Sequence, residues 1–144
     1  MTIVGVVLLY LGVLNAALSL GSGTCTGGSA DELVGGLYSL ALYLLGWLLI
    51  YFSNRKTISF LVFVPLIPVA WWQLHFVMTL GYGFFLANLG ACTVLGHGDF
   101  TNGAAEGWFD GRETFFFFIW LAANLAFLLG AVASYFMPRT IRSS

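Results

Sequence analysis

One histidine stands in the stretch Trp71-Trp72-Gln73-Leu74-His75, inside an apolar run without a single acidic or basic residue. An imidazole in such surroundings can ligate the iron of a haem or the magnesium of a chlorophyll-type pigment, relay a proton, or hydrogen-bond a neighbouring helix. Trp71, Trp72 and Gln73 would supply the wall of a pigment or quinone site around it. A bis-histidine haem needs a second ligand, and the only other histidine, His97, falls in a polar loop. Hydrogen bonding by His75 to a neighbouring helix is therefore the first expectation, with a haem, pigment or quinone contact and a proton relay as alternatives.

Cys25 and Cys92 are the only thiols. A dithiol exchange centre needs a close pair such as C-x-x-C, and this spacing has none. If both lie on one oxidising face, a structural Cys25–Cys92 disulfide is expected. The stretch from Gly96 to Glu113 is the most polar of the chain and carries His97, Asp99, Glu106, Asp110 and Glu113. Thr101 and Asn102 break the calcium-loop pattern, and the frequent glycines favour turns, so no metal site is assigned.

The elements that position these residues follow from composition. At 60% hydrophobic and 8% charged over 144 residues, the chain lies far from the soluble average of about 25% charged. A net charge of −1 with scattered basic residues gives no surface for nucleic acid. Four uncharged apolar runs, Thr2 to Leu20, Leu33 to Phe52, Ile58 to about Leu80 and Thr114 to Phe136, are long enough to cross a hydrocarbon core of about 30 Å. The start has no basic residues and the first run exceeds a typical signal region, so it is read as a span rather than a leader. The expected fold is an all-α integral membrane protein, a single four-transmembrane-helix bundle over residues 1–144. Its third helix is expected to kink around Pro65 and Pro68 and to be followed, over 81–96, by an interfacial or re-entrant segment.

Charge sets the orientation. With four spans, Arg55, Lys56, Arg139 and Arg142 share one side, which the positive-inside rule makes the cytoplasm, so both termini are cytoplasmic. Asp31, Glu32, Asp99, Glu106, Asp110 and Glu113 then face outward, as for a protein of a bacterial inner (plasma) membrane.

No Asp, Glu, Lys or Arg interrupts a span, which argues against an ion-coupled transporter. Asn15, Gln73, Asn88 and Asn124 do interrupt them, and groups so costly against lipid are expected to point into the bundle or at a partner. The fourth run carries Ala122, Ala126, Gly130 and Ser134 at four-residue spacing, and the first carries Gly5, Gly12 and Ala16. Such small-residue stripes let helix backbones approach closely. The two stripes are expected either to mate with each other or to receive another chain. With no catalytic constellation, the chain reads as a structural or accessory subunit of a larger membrane assembly, joined to other subunits or to itself within the lipid bilayer. The alternatives are a homo-oligomeric channel for a small neutral solute, lined by Asn15, Gln73 and Asn124, and a cofactor-binding subunit using His75.

Overall fold

The computed structural model describes residues 2–21, 31–53, 64–89, 94 and 113–136. These form α1 (Thr2–Gly21), α2 (Asp31–Phe52), a 3-10 turn (Val64–Leu66), α3 (Ile67–Gly81), a π-helical turn (Tyr82–Leu86) and α4 (Glu113–Phe136). No strand occurs among the described residues. The expected bridge between Cys25 and Cys92 lies outside them, as do Arg55, Lys56, Arg139, Arg142 and the polar loop before Glu113.

Helix is the one open structure whose backbone groups are all satisfied within a segment, which is what an apolar solvent demands. Acidic residues open α2 (Asp31, Glu32) and α4 (Glu113), where a helix carries its partial positive charge. Pro68 lies in the first turn of α3, where its missing N–H has no helical partner to lose. The prolines at 65 and 68 thus introduce the α-helix that follows. Helices α1, α2 and α4 are each long and apolar enough to cross a membrane, with mean hydropathies of 2.0, 2.0 and 2.2. The protein is an integral membrane protein.

The helix order is set by small residues and rings. Helix α1 runs antiparallel to α2: Gly5 meets Gly46 and Ile50, Gly12 meets Tyr43, and Ser19 meets Gly35. A Cβ added to Gly5 would lie 2.7 Å from the Gly46 carbonyl oxygen, and one added to Gly46 would lie 3.0 Å from that of Gly5. At this crossing the two backbones themselves are in contact, which dispersion alone rewards in a medium as apolar as the side chains.

Helix α2 runs parallel to α4. Gly36 lies against Ile119 and Trp120, the Tyr43 and Phe127 rings are 5.0 Å apart, and the Trp47 indole fills the space beside Gly130. The adjacent glycines Gly35 and Gly36, about 100° apart around the axis, therefore open two different sides of α2, one to α1 and one to α4. Helix α3 and the π-helical turn after it run antiparallel to α4, through ring pairs Phe76–Trp120 at 5.9 Å, Phe84–Phe116 at 6.3 Å and Phe85–Phe117 at 5.2 Å. One core cluster gathers Ala16, Val77, Leu80, Phe84, Phe116 and Trp120, and a second lies around Leu9, Tyr43, Trp47 and Phe127.

Asn88 ends the third helical segment. It adopts φ 51°, the left-handed region, while the Leu89 N–H bonds the Gly83 carbonyl at 2.9 Å. This closure around a left-handed residue is one residue longer than that of a Schellman cap, as it follows a π-helical turn, and asparagine is the residue other than glycine that best tolerates the left-handed position. Val94 then packs over Gly83. Asn88 is exposed and terminates the segment instead of entering the bundle.

Candidate functional site

The registers of the three helix pairs bring the intramembrane polar residues to neighbouring levels. Asn15 faces Ser39, Tyr43 faces Gln73, and the pairing of Phe76 with Trp120 carries Asn124 to the level of Gln73 on α3.

Two of these groups tie helices together. The Asn15 side-chain amide donates to the Gly35 carbonyl at 2.8 Å and to the Ser39 hydroxyl at 2.9 Å, and that hydroxyl donates to the Gly12 carbonyl at 3.2 Å. Glycine at 12 and 35 leaves both carbonyls open to a neighbouring side chain, so the glycines that permit close packing also provide the acceptors. The Gln73 amide donates to the Tyr43 hydroxyl at 2.6 Å, a side-chain bond between α2 and α3. Gln73 is only 3% exposed and Tyr43 fully buried, so this bond has no competition from solvent.

Asn124 differs. It is 2% exposed, and neither its Nδ2 nor its Oδ1 has a hydrogen-bond partner among the described residues. One turn earlier on α4, the buried Trp120 Nε1 is likewise without a partner among them. The three amides expected to line one path are thus divided: Asn15 and Gln73 join helices, and Asn124 keeps its full capacity.

His75 lies on the outside. Its side chain is exposed, as are Trp71 at 73% and Met78 at 65%, with Trp72 also on the exposed side. Gln73, two residues before, turns inward. The imidazole is thus turned away from the bundle, toward the side where a partner or lipid would lie, and the His75 backbone carbonyl accepts from Thr79 Oγ1 at 3.0 Å. The reason is helical geometry, because the buried face of α3 is Ala70, Gln73, Val77 and Leu80, and position 75 falls roughly opposite it. Trp71, Trp72, Gln73 and His75 consequently do not converge on one pocket within the chain.

No protein family, curated protein or solved structure matches the chain.

The small-residue stripes have found particular partners. Gly12 backs onto the Tyr43 ring and Gly130 onto the Trp47 indole, so each of these glycines meets α2 rather than the other stripe. Ala16 is fully buried in the first core cluster, Ala126 packs half-buried against the second, and Ala122 is half-buried. Ser134 lies within α4, its side chain outside the described residues. No group of three or more potential metal ligands occurs among the described residues.

Proposed function

We propose that this protein is an accessory subunit of a larger membrane assembly, a four-crossing bundle with cytoplasmic termini that docks onto its partner through the outer face of α3. The observation that carries the reading is His75, an imidazole exposed midway along the helical segment 64–86, with exposed Trp71 and Met78 beside it. A polar ring facing hydrocarbon is costly, and a helix from another chain offering a hydrogen-bonding group relieves that cost.

The parallel run of α2 and α4 supports four crossings, because the chain between them must return across the bilayer. The helical segment from Val64 to Leu86 suits that return, since a continuous helix of this extent spans roughly 30 Å. Arg55, Lys56, Arg139 and Arg142 then share the cytoplasmic side. A cysteine placed at Ser144 should react only with thiol reagents that cross the membrane, and labelling by an impermeant maleimide in intact cells would refute the orientation.

Docking is tested by a photoreactive residue at Met78, compared with one at Leu14 on the exposed aliphatic face of α1. In native membranes, position 78 is expected to give a discrete adduct with another polypeptide and position 14 only lipid adducts. Lipid adducts alone at both positions would refute the docking face.

A further inference from the structure

A second site lies inside the bundle and is independent of the docking face. Asn124 offers a side-chain amide with donor and acceptor both unmatched in the chain's described residues, at 2% exposure. Trp120 offers an indole N–H in the same condition, at 2% exposure. Residues four apart on a helix are separated by only about 40° around the axis, so these groups share one face of α4. Phe76 of α3 packs on the Trp120 ring, the Trp120 Nε1 edge lies against Gly36 of α2, and the register of α4 on α3 brings Asn124 to the level of the turn containing Gln73. There, Tyr43 accepts from Gln73, so its own hydroxyl proton remains available to donate.

The chemistry of this set is specific. It combines N–H donors from Trp120 and Asn124, an O–H donor from Tyr43 and a carbonyl acceptor from Asn124, with no charge. Buried polar groups in native proteins are nearly always bonded, and those that find no protein partner are bonded by internal water, which typically makes about three hydrogen bonds. A hydrophobic occupant would leave every one of these groups unmatched. A charged one would have no counterion, because no ionisable carboxylate or basic residue lies in any span.

We propose that Asn124, with Trp120, is the host of internal water between α2, α3 and α4 near mid-membrane. Water accepts from the Trp120 and Asn124 N–H groups and donates to the Asn124 carbonyl. The Tyr43–Gln73 bond closes the site on its α2 and α3 side.

The test uses the full-length protein in lipid nanodiscs, labelled with nitrogen-15. The Trp120 indole signal is identified by its loss in Trp120→Phe, and the Asn124 side-chain signals by their loss in Asn124→Leu. Selective inversion of water is expected to transfer magnetisation to both. In Asn124→Leu, which keeps the branched shape but removes the amide, the transfer to Trp120 should disappear while the remaining spectrum stays dispersed. Absence of transfer to both groups in the unsubstituted protein would overturn the proposal. So would undiminished transfer to Trp120 in folded Asn124→Leu, because water would then be held without Asn124. If Asn124→Leu does not fold, the measurement on the unsubstituted protein still decides.

Discussion

The pair α1–α2 and the helix α3 use the same apolar vocabulary to opposite ends. Along α1–α2, small residues bring backbone to backbone, and Asn15 and Ser39 close on carbonyls the glycines leave open. Every described polar side chain in that seam has a partner in the chain. Along α3, one face is occupied by Gln73 and its aliphatic neighbours, while the other presents His75 among exposed aromatic and sulfur-containing side chains. Where lipid offers no hydrophobic drive for association, close packing and satisfied polarity mark an interface already made, and the exposed His75 face is the one proposed above to receive another chain.

Substitutions that test this contrast should fall in order of size. Gly46→Leu drives a side chain onto the Leu9 side chain and the Gly5 carbonyl oxygen and should separate α1 from α2, costing about 3 kcal/mol as overpacking, because the Gly5 backbone cannot turn aside as Leu9 can. Reversible unfolding in mixed micelles measures it, and an unchanged midpoint would break the claim of backbone contact. Gly130→Leu should cost about 2 kcal/mol, less because the obstructing Trp47 is a side chain that can turn. An unperturbed monomer with lost association would instead move Gly130 to an external surface. Asn15→Leu removes two interhelical bonds and should cost about 1 kcal/mol, since such bonds average about 0.6 kcal/mol in membranes. Gln73→Leu should cost slightly less than Asn15→Leu, with one bond lost and the Tyr43 hydroxyl left to find another partner.

The helical, membrane-embedded character was legible in the sequence because charge-free length leaves few other structures. Small-residue spacing revealed that surfaces on α1 and α4 admit close neighbours. It did not reveal that Tyr43 and Trp47 of α2 are those neighbours, because a four-residue repeat records size and says nothing of the element opposite. Gln73 and His75 were harder to tell apart, since α3 is apolar on all sides and its hydrophobicity has no direction. The usable signal was the series Ala70, Gln73, Val77 and Leu80, which shares one helical face and leaves His75 off it. Asn88 looked like another intramembrane polar group. Its role as a left-handed cap was foreshadowed only by its residue type and the following Leu89-Gly90.

His75→Leu tests the central claim most directly, because it removes the polar group from the docking face without touching a described contact inside the chain. Unfolding midpoint and native mass, both measured after extraction in mild detergent, should diverge. The account predicts a monomer stability within about 0.5 kcal/mol of the unsubstituted protein, as for other substitutions away from the core, together with loss of the co-purifying chains. An unchanged native mass, or a monomer destabilised as strongly as by Gly130→Leu, would contradict it.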